Sequence, residues 1–303
     1  MIHITDSMVD AAVTGADAQQ VLFDAFCDMA QGHAAMQERI RTESAGTKIS
    51  TMAAVLPRQG YAGAKVYTTI EGRFSFVIVL FSAADGRPLA SVEANAITRL
   101  RTAACSVLAS RRLARRDIHR IAIFGAGVQG RAHAVQLAHE WHPAEIRISD
   151  PYATSDVARG LESECETRVR MAGSAQEAIE GADIIVTASR STQPLFAGSG
   201  VPRGCFIAAI GSSLPHTREL DDVALQRASR IAVDWGPQTR REAGDLVLAG
   251  AQCAVESKLV ELSDLLAGRA PGRESDDEIT IYKAVGVALQ DIALAGLAYA
   301  RVT

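Results

Sequence analysis

Six consecutive residues, Gly125-Ala126-Gly127-Val128-Gln129-Gly130, satisfy the spacing G-x-G-x-x-G. They follow the apolar run Ile121-Ala122-Ile123-Phe124 and precede a helical pattern, the setting this motif requires. Gly125 can make the tight turn, Gly127 admits a pyrophosphate close to the backbone, and Gly130 lets helix and strand pack closely. Val128 and Gln129 open a helix whose unpaired N–H groups and dipole favour negative charge. The same spacing also serves an ordinary strand-to-helix turn that needs glycine for positive φ. The second mark of a dinucleotide site is an acid about 20 residues on. Asp150 stands 150 − 130 = 20 residues after Gly130, directly behind Ile146-Arg147-Ile148-Ser149. Its carboxylate can accept from both ribose hydroxyls and would repel a 2′-phosphate. NAD is therefore expected over NADP, with Arg147 and Arg159 near enough along the chain to meet a phosphate; Asp150-Pro151 also reads as a simple turn start. Ligands of open α/β sheets dock at strand carboxyl ends. That rule singles out Thr187 and Ser189 after one apolar strand, and Gly211 and Ser212 after another, as the nicotinamide side.

The elements that must hold these residues alternate. Segments 121–124, 146–149, 168–171, 183–186, 205–210 and 230–233 read as short buried strands. Helical patterns at 129–140, 157–164, 175–180 and 221–227 separate them, which predicts an α/β, Rossmann-type doubly wound parallel sheet. The N-terminal third differs: a helix over 17–29 capped by Asp17, strands at 37–42, 49–56, 63–68, 74–81 and 89–92, then a helix over 94–114. The tail 279–301 reads as one amphipathic helix, with Ile281, Val285, Leu289, Ile292 and Tyr299 near one face. Segment 268–277, GRAPGRESDD, is the most linker-like stretch of the second half.

A chain of 303 residues suggests two domains at ~150 residues each. Apolar residues at 48% and charged residues at 22% exclude a disordered chain or a disulfide-stapled miniprotein. The net charge of 31 − 35 = −4 argues against a nucleic-acid partner, and the basic run 111–116 reads as a solvated helix face. Five scattered cysteines, without zinc spacing, fit a reducing compartment and predict no metal. No basic segment leads into an apolar one at the start, and the strongest apolar run, 74–81, is far short of a span. No membrane partner and a cytoplasmic location are expected.

Several segments together resemble the ornithine cyclodeaminase/μ-crystallin family: 65–68 (KVYT), 98–104 (TRLRTAA), the Gly125–Gln129 turn, 181–185 (GADII), 218–222 (RELDD), 241–246 (REAGDL) and 281–286 (IYKAVG). The RTAA segment ahead of the GAGVQ turn is the specific mark. The resemblance implies a discontinuous α+β substrate and dimerisation domain, residues 1–117 with 279–303, beside a dinucleotide domain at 118–278. It implies a homodimer acting with a nicotinamide cofactor on small α-amino or α-imino acids. A basic cluster would grip the substrate carboxylate, at the matching positions Arg41, Lys65 and Arg101, with Thr102 on the cofactor diphosphate. Physics makes the same demand, because a desolvated carboxylate needs fixed cations and arginine supplies a two-pronged fork. Lys65 would carry the proton, its pKa lowered by burial and crowding cations. Arg41 also reads as a surface strand residue beside Arg39.

Where cyclodeaminating members place an Asp, alignment on 218–220 puts Ser213, which is no general base without an activating neighbour. Ala284 stands where many relatives carry a Ser near the nicotinamide carboxamide. The expectation is an NAD(P)-dependent imino or amino acid oxidoreductase, with NAD the preferred cofactor. Ornithine cyclodeaminase is the first alternative, and a non-catalytic, crystallin-like cofactor binder the second.

Overall fold

A computed structural model describes all residues, 1–303. The chain folds into two compact units, Met1–Cys105 with Gly286–Thr303, and Ser106–Val285.

The first unit is built on a seven-stranded sheet. Its strands are β1 (Ile2–Ile4), β2 (Ala35–Met36), β3 (Ile40–Ser44), β4 (Thr47–Leu56), β5 (Tyr61–Ile70), β6 (Arg73–Ser82) and β7 (Pro88–Glu93). The order is β1-β7-β6-β5-β4-β2, with β3 also on β4, and every pair except β1–β7 is antiparallel. Strict alternation fixes the register: Met52, Ala54 and Leu56 of β4, and Ile78 and Leu80 of β6, are buried on one face. Helices α1 (Asp6–Ala12), α2 (Gly15–Ala30) and α3 (Asn95–Leu113) belong to this part of the chain, and the unit boundary falls inside α3. The cap of α2 is Thr14 rather than Asp17. Asp17 is instead the third helical residue of a capping box, accepting the Thr14 N–H at 2.9 Å.

The second unit carries an eight-stranded parallel sheet. Its elements are β8 (Arg120–Phe124), α4 (Val128–Trp141), β9 (Glu145–Ser149), α5 (Ser155–Cys165), β10 (Arg168–Met171), α6 (Ala175–Ile179), β11 (Ile184–Thr187), β12 (Phe206–Ala209), α7 (Asp222–Arg227), β13 (Ala228–Val233), α8 (Gly236–Glu242), α9 (Gly244–Val247), β14 (Leu259–Glu261), α10 (Leu262–Leu266) and β15 (Ile279–Lys283). The order β10-β9-β8-β11-β12-β15-β13-β14 reverses direction between β8 and β11. This is the doubly wound sheet expected from the β/α alternation, with its switch point beside the glycine turn. One face buries Phe124, Ile185, Ile207, Ile231 and Ile281.

Residues 279–301 are not one helix. Ile279–Lys283 is a fully buried strand paired with β12 and β13, and only Ala288–Val302 (α11, in the first unit) is helical. The apolar positions that mimic a helical stripe include Ile281, a core strand residue. Gly286, at φ +75, separates strand from helix. Segment 268–277 is not a free linker: Arg273 donates to the carbonyls of Leu113 at 2.7 Å and Gly204 at 3.0 Å.

Candidate active site

In the first unit, Lys65 on β5 points to the buried face, opposite Met52 of β4 and Ile78 of β6. Helix α11 lies against that face, brought close at Gly63 and Gly296, where an added Cβ would strike Ile292 and the Tyr61 ring. That approach sets Asp291 against the lysine. Lys65 Nζ is 2.9 Å from Asp291 Oδ1 and donates to Thr98 Oγ1 at 2.6 Å; Lys65 is 2% exposed and Asp291 0%. Burial pushes the Lys65 ammonium down to about 8. The Asp291 carboxylate opposes that fall, and the charges of Arg101 and Arg39 add to it.

Arg101 of α3 is buried, donates from Nη1 to Gln290 Oε1 at 2.8 Å, and holds Nε 3.6 Å from Asp291 Oδ1. Its guanidinium lies over Gly286, where a Cβ would stand 2.7 Å from both terminal nitrogens. Two polar atoms of the cluster are buried without a hydrogen-bond partner, Arg101 Nε and Asp291 Oδ2. Phe76 places its ring centroid 4.5 Å from Lys65 Nζ, and it stacks on Phe74 and packs on Tyr67, forming an aromatic wall beside the ammonium.

The structure separates Arg41, on β3, from Arg39, in the segment just before it. Arg41 lies opposite Ser50, half-buried. Arg39, two residues earlier, donates to the Gly286 carbonyl at 2.8 Å and approaches Met52 Sδ at 3.2 Å, and its charge acts on Lys65. Arg39, Asp291, Thr98 and Gln290 are the members that sequence reading missed. One signal was available for Asp291: a lone acid in the apolar run ALQDIALAGLA demands a buried partner. Thr102 is buried, with its hydroxyl donating to Thr98 O at 2.7 Å.

In the second unit, the glycine turn has the form a dinucleotide needs. Gly125 sits at φ +96, and a Cβ there would meet Ala188 O at 2.6 Å. A Cβ on Gly130 would collide with the Gly125 carbonyl, so close packing of α4 on the turn requires glycine. Gly127 faces open space; it caps α4 without any side-chain hydrogen bond, and Val128 beside it is 64% exposed. The first-turn N–H groups of α4 are thus left for an anion. The Gln129 Oε1 atom is buried without a hydrogen-bond partner. Asp150 lies beside this turn, accepting the Ala126 N–H at 2.7 Å and the Tyr152 N–H at 2.8 Å. Each oxygen keeps capacity for a further donor such as a ribose hydroxyl. Neither nearby arginine is poised for a 2′-phosphate: Arg147 is buried on Glu145 at 2.7 Å and Arg159 pairs with Asp156. These residues fit NAD.

Thr187, Ser189, Gly211 and Ser212 come together at the carboxyl ends of β11 and β12, all donating to the buried Glu219 carboxylate. Ser213 follows them, its N–H on Gly211 O at 3.0 Å, and Ala284 is buried.

Several solved structures are similar to this chain over nearly its whole length. A probable ornithine cyclodeaminase from Bordetella pertussis is 55% identical, with a TM-score of 0.98 over 100% of this chain and 97% of that one. Thermococcus litoralis Δ1-pyrroline-2-carboxylate reductase, solved with NADH and L-proline, is 26% identical, with a TM-score of 0.94 over 100% and 97%. An archaeal alanine dehydrogenase, solved as a dimer with bound NAD, is 28% identical, with a TM-score of 0.91 over 99% and 95%. The mouse ketimine reductase μ-crystallin is 34% identical over 222 residues, 73% of this chain and 68% of that protein. The ornithine cyclodeaminase/μ-crystallin family model matches residues 2–303, and the chain belongs to that family.

Proposed function

We propose that the chain is an NAD-dependent oxidoreductase of small α-imino and α-amino acids. The observation that carries this reading is the buried Lys65 at a pKa of about 8, set among Arg101, Arg39 and Asp291. Arg101, Arg39 and Arg41 hold the substrate carboxylate. Lys65 donates a proton to the nitrogen in reduction and recovers it in oxidation, and a group titrating near neutrality suits both directions. Gly125, Gly127, Gly130 and the α4 N-terminus would hold the diphosphate, and Asp150 the adenosine ribose. Nicotinamide, when bound, supplies or accepts the hydride at the α-carbon. Reductases and dehydrogenases of this type among the family relatives support the reading.

A homodimer is part of the proposal. The outer face of β4, β5 and β6 carries Ile49, Val55, Ala62, Ala64, Val66, Val77, Val79 and Phe81 and no charge between them, with Val55 45% exposed and Val77 37%. An apolar face of this kind marks an interface. Val77→Asp is expected to yield monomer by light scattering; a dimer that persists would contradict this face.

The functional test is a panel of cyclic and acyclic imino acids with NADH and NADPH, followed at 340 nm. Turnover with NADH is expected, and absence of any turnover would leave the crystallin-like binder. Cyclodeamination is the second reading, favoured by the 55% identical Bordetella protein. Ornithine with catalytic NAD tests it: ammonia release without accumulating NADH would support it, whereas Ser213 argues against it.

A further inference from the structure

Glu219 is 0% exposed, yet five donors converge on its carboxylate. Oε1 accepts the N–H and the hydroxyl of Ser189, both at 2.7 Å. Oε2 accepts the Thr187 hydroxyl at 2.8 Å, the Gly211 N–H at 2.8 Å and the Ser212 N–H at 3.2 Å. A carboxylate offers about four lone-pair sites, so this one is saturated. Behind it, Asp245 Oδ1 accepts the N–H groups of Glu219 and Leu220 at 2.7 and 2.9 Å. Asp245 Oδ2 pairs at 2.9 Å with Lys283 Nζ, which also donates to Ala209 O at 3.1 Å. The network therefore ties the ends of β11, β12 and β15 together. Burial pushes the Glu219 carboxyl up, and the Lys283 charge and the Ser189 donors oppose it. All five donors call for the ionised, acceptor-only form.

The loops have no slack around this group. A Cβ on Gly211 would collide with Ser189 O and Glu219 Oε1, and one on Gly125 would meet the carbonyl of Ala188. Residues 188–189 are thus wedged between the glycine turn and the 211–212 loop, beside the point where the strand order reverses. These loops spend their donors within the protein, five of them on Glu219, the Ser212 hydroxyl on Thr217 O at 2.8 Å and the Ala188 N–H on Phe124 O at 2.8 Å, so the loops present shape to a ligand.

We propose that Glu219 is a positioning residue for the nicotinamide half of the cofactor, fixing residues 187–189 and 211–212 from behind without touching the ring. This rests on the cofactor use proposed above. The adenosine half is served by Gly127, the α4 N-terminus and Asp150, none of which bonds to Glu219. The two halves of the cofactor therefore separate experimentally.

The test measures dissociation constants of NADH and of ADP-ribose, which lacks nicotinamide, by calorimetry on wild type, Glu219→Gln and Ser189→Ala. An amide turns an N–H₂ toward one set of donors. NADH is expected to weaken roughly tenfold or more in Glu219→Gln. ADP-ribose should stay within about twofold, and Ser189→Ala should shift the same ratio less. Equal weakening of both ligands, or no change in either, would overturn the assignment. Should Glu219→Gln fail to fold, an unchanged ratio in Ser189→Ala overturns it alone. Wild-type protein without affinity for either nucleotide would remove the cofactor reading and this assignment together, an outcome distinct from an unchanged ratio.

Discussion

Each unit buries a lysine against an aspartate at 2.9 Å, Lys65 on Asp291 in one and Lys283 on Asp245 in the other. The surroundings differ. Around Lys283, the carbonyl of Ala209 takes a further bond and the neighbouring Glu219 is saturated by five donors. Around Lys65, Arg101 Nε and Asp291 Oδ2 are buried without hydrogen bonds, three cationic side chains face one acid, and an aromatic wall flanks the ammonium. Two acids share the one cation at Lys283, Asp245 Oδ2 having that ion pair and no hydrogen bond, and such a network serves the scaffold. A network that keeps excess positive charge is arranged for an anionic visitor.

Lysine-to-methionine changes break this comparison most directly. Lys65→Met should lower kcat/KM for imine reduction by about 10²–10⁴, the range of general acid catalysis. Asp291 keeps Arg101 beside it, so the melting temperature should change little. Lys283→Met strands Asp245 and Glu219 with no cation and should cost about 3–5 kcal/mol of stability, read from denaturant midpoints. Matching stability losses in the two variants would erase the distinction. A finer cut falls on the two neighbouring arginines: Arg39→Ala should raise KM for the imino acid roughly tenfold, with Arg41→Ala smaller. The reverse order would return the carboxylate contact to Arg41.

Much of this was legible in the chain. The glycine turn, Asp150 and the β/α alternation are local patterns, and local patterns survive into structure. The Lys65 cluster was legible only in part, because its members come from the segment before β3, from β5, α3 and α11, which sheet pairing and a helix brought close at two glycines put together. Arg39 and Arg41 are two residues apart, so alternation along an expected strand cannot say which lies nearer the lysine. Thr187, Ser189, Gly211 and Ser212 were found by their place at strand ends, but their common partner Glu219 lies on another loop. Strand Ile279–Lys283 was hidden because Ile281 and Val285 fall at helical spacing with Leu289 and Ile292.

The claim that Lys65 carries the proton rests most directly on the pH dependence of kcat/KM for reduction in wild type and Asp291→Asn. Reduction needs the ammonium, so wild-type activity should fall as pH rises through about 8, the value burial gives this lysine. Removing the carboxylate that favours the charged form should move that limb to lower pH, by about one pH unit or more. A descending limb that stays in place in Asp291→Asn, or one that survives in Lys65→Met, would contradict the account.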